Sequence, residues 1–144
     1  MREKGGGSMN IIVCLEDKNG MMFNHRRQSK DREVRRDMLS YIGYHRLWMN
    51  EYSRKQFEAV PKDAQIEVNE NFPAFAGDDD YCFIENSIYL LNKNLITEIV
   101  IYHWNRIYPS DTKFELDLSE WNLVSQNQFR GFSHEKITRE VWKK

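Results

Sequence analysis

The sequence predicts an α/β fold: a mostly parallel sheet flanked by helices, with an antiparallel hairpin at the C-terminus. Short apolar runs rich in β-branched residues alternate along the chain with segments of helical periodicity, which is typical of β–α–β units. Two strand-like runs then close the sequence with only a turn between them. Strands without an intervening helix favour antiparallel pairing, so this end predicts the hairpin.

Length and charge indicate one compact unit. The 144 residues carry 21 Lys and Arg against 22 Asp and Glu, with a net charge of -1 and 13% aromatic residues. The aromatic content predicts a real core, and the balanced charge argues against a general polyanion binder. Residues 1–8 are charged and then glycine-rich, and they are interpreted as a leader outside the fold. Residues 9–144 are predicted to form a single domain.

Cysteine, histidine and hydropathy patterns exclude several classes of protein. Cys14 and Cys82 both lie in apolar runs, which predicts reduced thiols without a disulfide. The four histidines, His134 among them, are scattered without a metal-binding spacing, so no metal is predicted. The apolar runs are strand-sized, which predicts no membrane span and a cytoplasmic location.

The first half of the chain contains clear element boundaries. Ser29 predicts the N-cap of a helix that extends to Tyr41, and Gly43 predicts its stop. The predicted strands are 10–15, 46–50 and 65–68, and Ser53 is predicted to cap a short helix that reaches residues 57–59.

The second half contains a loop, two parallel strands and the hairpin. Pro73, Gly77 and three consecutive acids predict a loop over residues 72–80. The predicted strands are 81–84, 97–104, 122–128 and 136–142, with a helix marked by Ile88, Leu91 and Leu95 and a turn around Gly131.

With these elements in order, the chain from Met9 to Lys144 resembles the dihydrofolate reductase family in a shortened form. Gly20–Asn24 has the spacing of the loop that covers the family's active site, and Met49–Ser53 occupies the place of its Met-Gly-Arg-x-Thr motif. Asp111–Phe114 is similar to a late Asp-Thr-x-Phe-Pro signature, with Glu115 in place of proline. The closing hairpin also has the family's character.

The resemblance implies a proton-donating carboxylate and an altered cofactor site. The carboxylate falls at Glu33 by gapless counting, or at Asp31 with a two-residue shift. Glu51 stands where the family keeps a cationic phosphate-binding residue. Glu85 and Asn86 stand where it keeps two glycines that let the cofactor approach the backbone. We therefore expect no cofactor, because side-chain bulk and negative charge replace that site.

The basic run 25–32 is the densest group of candidate binding residues. Guanidinium groups before a helix N-terminus suit an anion, although such a run is also typical of a solvated helix start. The leading hypothesis is a planar anionic ligand, a nucleotide or pterin, in the former substrate cleft. The predicted anion side consists of Asn24, Arg26, Arg27 and Ser29, and the predicted cleft walls of Trp48, Asn50 and Tyr52.

Two alternatives stay open. The first is an NADPH-dependent pteridine reductase that uses Asp31 or Glu33 as the proton donor, although nearby arginines favour the ionised carboxylate. The second is an RNA-binding or RNA-cleaving protein that uses the basic run. The leading hypothesis covers both a binding protein and a divergent enzyme.

Overall fold

A computed structural model describes residues 7–86 and 92–144 of the chain. The strands are β1 (Met9–Leu15), β2 (Gly20–Phe23), β3 (Arg26–Arg27), β4 (Leu47–Met49), β5 (Ile66–Val68), β6 (Tyr81–Phe83), β7 (Ile96–His103), β8 (Thr112–Lys113), β9 (Asn122–Phe129) and β10 (Ile137–Lys143). The helices in this part of the chain are α1 (Arg32–Ile42) and α2 (Glu51–Arg54), with 3-10 turns at Phe72–Ala74 and Lys93–Leu95.

Seven strands form the main sheet, in the spatial order β5-β4-β6-β1-β7-β10-β9. The first five in this order are parallel, whereas β10 pairs antiparallel with both β7 and β9. This arrangement confirms the predicted α/β class with its C-terminal antiparallel hairpin. Parallel pairing places the carboxyl ends of β1, β4, β6 and β7 at one edge of the sheet.

The central strand β1 is covered on both faces. Ile11 and Val13 pack into one hydrophobic cluster, while Ile12 between them packs into the other, and all three have no exposed surface. Because successive side chains of a strand point to opposite faces, a continuous apolar run is what a doubly covered strand requires. The sequence prediction for this strand is confirmed.

Helix α1 begins two residues later than the sequence predicts. Asp31, not Ser29, is the N-cap: its backbone is extended, and its carboxylate accepts a hydrogen bond from the Glu33 N–H at 2.9 Å. The Ser29 hydroxyl lies instead within hydrogen-bond distance of His134. Gly43 ends the helix with a φ of 61°, a conformation that favours glycine, and its N–H donates to the Leu39 carbonyl.

Helix α2 is shorter than predicted and has a different cap. The Asn50 side chain accepts from the Ser53 N–H at 2.9 Å, so Asn50 is the N-cap and Ser53 lies inside the helix. The Ser53 hydroxyl donates to Glu85, a contact that no local sequence pattern signals. The helix ends at Arg54, before the predicted residues 57–59.

A second sheet contains three short strands, and its first strand in the chain, β2, begins five residues after the end of β1. Its order is β3-β2-β8, and β3 lies within the basic run 25–32. Asn24 and His25 form the two-residue connection of the β2–β3 hairpin and have φ values of 53° and 62°. Two consecutive positive φ angles are what a type I′ hairpin turn requires, and Asn tolerates them better than most residues.

Three further predictions concern the cysteines, membrane spans and a helix near residue 88. No disulfide joins Cys82, which is buried in β6, to Cys14, which is partly buried in β1. No helix in the described ranges is long and apolar enough to cross a membrane. The predicted helix at Ile88 and Leu91 lies outside the described residues, and Leu95 belongs to a 3-10 turn.

Candidate functional site

The carboxyl edge of the parallel strands brings several polar residues together. Asn50 follows β4, Glu85 lies two residues after β6, and Trp104 follows β7. Ligands in open α/β sheets bind outside the carboxyl ends of the strands, where loops of different elements meet. The β2–β3 hairpin folds over this edge, because the Asn24 N–H donates to the Asp111 carboxylate at 2.9 Å.

Arg27 and Glu85 form the central contact of this edge. Arg27 Nε lies 2.8 Å from Glu85 Oε2, and Arg27 Nη2 lies 3.0 Å from Oε1. This two-bond geometry matches the planar guanidinium to the carboxylate. Burial disfavours the charged guanidinium, but the hydrogen bond and charge of Glu85 outweigh it and raise the pKa of Arg27. We call this contact the Arg27–Glu85 bridge.

Helix α2 and Gln56, which follows it, contact the Arg27–Glu85 bridge. Ser53 Oγ and Gln56 Nε2 both donate to Glu85 Oε1, at 2.8 and 3.1 Å. The Tyr52 hydroxyl accepts from the Arg27 N–H, and the guanidinium carbon of Arg27 lies 4.3 Å from the centre of the Tyr52 ring. The bridge therefore joins the hairpin, α2 and the end of β6. The sequence shows Glu85 where the resemblance implies glycine, but it contains no signal of the pairing with Arg27.

Two small cavities lie beside the bridge. One of about 270 Å³ is lined by the hairpin and by the chain after β7. The other, of about 210 Å³, lies between the hairpin, α2 and the end of β6. The first is lined by Phe23, Asn24, Arg26, Arg27, Gln28, Tyr108 and Pro109, and the second by Met22, His25, Asn50, Tyr52, Glu85 and Asn86.

The structure brings together five of the seven predicted ligand residues. Asn24, Arg26 and Arg27 line the first cavity, and Asn50 and Tyr52 line the second. Trp48 lies elsewhere: its side chain is only 2% exposed, and its indole N–H donates to Asp80 at 2.9 Å. The remaining residue is Ser29, whose hydroxyl contacts His134.

Asp31 lies in a buried hydrogen-bonded cluster with the turn between β9 and β10. Its carboxylate accepts from the backbone N–H groups of Phe132 and Ser133, at 2.8 and 2.9 Å. Its Oδ2 also lies 2.8 Å from His134 Nδ1. Burial disfavours the charged carboxylate, but the hydrogen bonds from Phe132, His134, Ser133 and Glu33 outweigh it and hold the pKa of Asp31 well below its usual range. An ionised carboxylate accepts protons and does not donate them.

Glu33, the other candidate proton donor, points to neighbouring arginines. Its carboxylate lies 3.1 Å from Arg36 Nη1 and 3.9 Å from Arg32 Nε. Both arginine side chains are more than half exposed. The structure thus places Glu33 on the outer side of α1, while Asp31 lies in the buried cluster.

A cavity of about 910 Å³ lies beside α1. Arg32, Arg35 and Arg36 contribute its basic side, and Leu39, Phe57 and Val60 contribute apolar surface. Arg35 Nη1 is buried without a hydrogen-bond partner. Burial lowers the pKa of Arg35, and the positive charge of Arg27 lowers it further. The negative charges of Asp31 and Glu58 oppose this shift. Arg35 was not among the predicted ligand residues, because a helical arginine looks like an ordinary solvated charge in the sequence.

Among residues 7–86 and 92–144, no group of three His, Cys, Asp or Glu side chains is placed to hold a metal ion. The resemblance to dihydrofolate reductase also implies a nicotinamide dinucleotide. The residues in the described ranges do not fit one, because the Glu85 carboxylate and its partners fill the place where the family keeps two glycines. Glu51 adds a second carboxylate where that family has a cation.

Comparison with known proteins supports the fold. No protein-family model and no curated protein sequence matches the chain. Among solved structures, the chain is similar to a dihydrofolate reductase from Enterococcus faecalis, described as a complex with NADP(H) and RAB-propyl. The TM-score is 0.63 at 8% sequence identity, and the match covers 95% of this chain and 96% of that chain. The chain therefore has a dihydrofolate reductase-like fold.

Proposed function

We propose that this protein binds a planar anionic small molecule, such as a nucleotide or a pterin, in the 910 Å³ cavity between α1 and residues 57–65. The Enterococcus faecalis enzyme with the similar fold is described with a dinucleotide and a small molecule bound. Likeness of fold alone does not transfer that chemistry, so the proposal depends on the residues of this chain.

The observation that carries the proposal is the basic lining of the 910 Å³ cavity, to which α1 contributes Arg32, Arg35 and Arg36. Burial disfavours the charged form of Arg35, so a negative charge beside it would stabilise its guanidinium. An anionic ligand in the cavity would supply that charge. The apolar side chains of Leu39, Phe57 and Val60 offer contact to the ligand's uncharged part.

Five of the seven ligand residues predicted from the sequence line the two smaller cavities, which share no lining residue with the 910 Å³ cavity and offer a second position for an anion. Arg26 is exposed beside the 270 Å³ cavity and supplies a further cation, while Asn24, Asn50 and Tyr52 supply polar and aromatic contacts. Arg27 acts indirectly, since the Arg27–Glu85 bridge fixes the hairpin against α2. Binding is favoured over pteridine reduction, because Asp31 is held ionised and the cofactor position holds Glu85.

The test is a thermal-shift screen with nucleoside mono-, di- and triphosphates, folates and inorganic phosphate. A ligand that binds only the folded state raises the melting temperature by mass action. Arg35→Gln should weaken binding of the active compound about 10- to 150-fold, because a charge-assisted hydrogen bond contributes about 1.5–3 kcal/mol.

Arg46→Gln is the matched control, because Arg46 is exposed at the start of β4 and the substitution removes the same charge. Its affinity should equal that of the wild type. The proposal is wrong if no planar anion raises the melting temperature, or if Arg35→Gln and Arg46→Gln bind equally well.

A further inference from the structure

Ser29, His134 and Asp31 form a hydrogen-bonded chain that the proposed ligand site does not require. Ser29 Oγ lies 3.0 Å from His134 Nε2, and His134 Nδ1 lies 2.8 Å from Asp31 Oδ2. A hydroxyl, an imidazole and a carboxylate in this order, each within hydrogen-bond reach, are the geometry that activates a serine as a nucleophile.

The surroundings of Asp31 set the direction of the hydrogen bonds. The backbone N–H groups of Phe132 and Ser133 donate to this carboxylate, which favours its ionised form. An ionised carboxylate only accepts, so Nδ1 of His134 carries the proton that lies between them. Nε2 is then the acceptor, and the Ser29 hydroxyl donates to it.

The imidazole is buried and held in place, whereas the serine is partly buried. His134 is 4% exposed, and its ring stacks on Trp104 with the ring centres 4.7 Å apart. The Tyr108 hydroxyl lies 3.1 Å from the same Nε2 and is a second hydrogen-bonding group for the ring. Ser29 is partly buried, so it is less enclosed than His134.

A cavity of about 270 Å³ lies near Ser29. The adjacent Gln28 and Tyr108, whose hydroxyl contacts His134, line this cavity, whereas Ser29 and His134 themselves do not. A cavity of this size suits a small acyl group and excludes a folded polypeptide.

We propose that Ser29 is a nucleophile toward small acyl esters, with His134 as the general base and Asp31 as the positioning residue. In the first step, Ser29 Oγ bonds to the acyl carbon, its proton moves to His134 Nε2, and the ester C–O bond breaks. The proton then passes to the leaving alcohol. In the second step, water attacks the acyl-serine, gives its proton to Nε2, and the serine oxygen takes that proton back as the acid leaves.

A fluorophosphonate probe tests the nucleophile directly. Labelling forms a bond between Ser29 Oγ and phosphorus, breaks the P–F bond and releases fluoride, while the serine proton moves to His134. Ser119 is the matched control, because it is an exposed serine whose backbone N–H bonds to Asp117. Peptide mass spectrometry should show Ser29 labelled at least about 100-fold faster than Ser119, the lower bound for general-base assistance.

Variants distinguish a Ser29 hydroxyl that His134 activates from one that is merely exposed. Ser29→Ala should remove the label at that site, and Tyr108→Phe should label at least as fast as wild type, because it removes a competing group at Nε2. His134→Gln should slow labelling about 100-fold. If His134→Gln does not fold, the ratio of Ser29 to Ser119 labelling in the wild type decides the question alone.

Two results would overturn the proposal. One is Ser29 that is unlabelled or labelled no faster than Ser119. The other is hydrolysis of 4-nitrophenyl acetate at equal rates by wild type and Ser29→Ala. Wild type should be faster if Ser29 attacks esters, so equal rates would contradict the proposed substrate class.

Discussion

Arg26 and Arg27 are adjacent in the sequence and have different physical roles. Arg26 is exposed, whereas the Arg27 side chain is 18% exposed and bonds to Glu85, which is 9% exposed. Replacing Arg27 by Ala leaves the Glu85 carboxylate without its charged partner, and breaking such a pair costs about 3 kcal/mol. Urea unfolding of Arg27→Ala should show this loss of stability.

Arg26→Ala is the matched control, with the same change of charge one residue away. Its free energy of unfolding should stay within about 0.5 kcal/mol of wild type, as for most exposed substitutions. Equal stability of the two variants would show that the Arg27–Glu85 bridge contributes nothing to the fold.

Asp31 makes stability depend on pH. Its folded-state pKa lies well below the value of about 3.9 that an unfolded Asp has. Below about pH 5 the unfolded state therefore binds more protons at this residue than the folded state, and stability falls as the pH falls. Urea unfolding across pH 3 to 6 should show a steeper loss for wild type than for Asp31→Asn. Identical slopes would contradict this role of Asp31.

At the scale of elements, the turn between β9 and β10 packs tightly against the start of α1. A Cβ on Gly131 would lie 2.6 Å from Asp31 Oδ2 and 3.0 Å from the His134 carbonyl oxygen. The Gly131 N–H also donates to that carbonyl, so the turn cannot move away without losing the bond. The glycine therefore keeps the hairpin close to the carboxylate.

We expect Gly131→Ala to destabilise the protein by about 1–3 kcal/mol, the usual range for overpacking at a tight contact. Gly77→Ala is a control, because a Cβ there would come no closer than 3.3 Å to its nearest neighbour, the end of the Asp80 side chain. Chemical denaturation measures both. A Gly131→Ala variant as stable as Gly77→Ala would mean that the turn adapts without cost.

Element types were easier to predict than element ends. The continuous apolar run of β1 and the glycine stop at Gly43 are local signals, and both predictions are confirmed. The N-cap of α1 was predicted at Ser29 and lies at Asp31, because both residues are good caps and hydrogen bonds from residues 132–134 favour Asp31. Residues that distant leave no mark on local sequence periodicity.

At the scale of the whole molecule, the fold is similar to dihydrofolate reductase while the cleft differs. The Arg27–Glu85 bridge joins the hairpin, α2 and the end of β6, and by the resemblance Glu85 stands where the family keeps a glycine beside its cofactor. We expect calorimetry with NADPH to show no saturable binding in the micromolar range, because two carboxylates and their partners oppose a phosphate-rich ligand. A micromolar dissociation constant would contradict this.

The sequence by itself determined the α/β class, the doubly covered central strand and the C-terminal hairpin, because these depend on hydrophobic periods of a few residues. It also identified the basic run and the replacement of glycines by Glu85. Tertiary structure decided which polar groups meet: Arg27 with Glu85, 58 residues apart, and Asp31 with His134, 103 residues apart. The reason is physical, since buried charges need partners and those partners come from whichever strand ends the sheet places side by side.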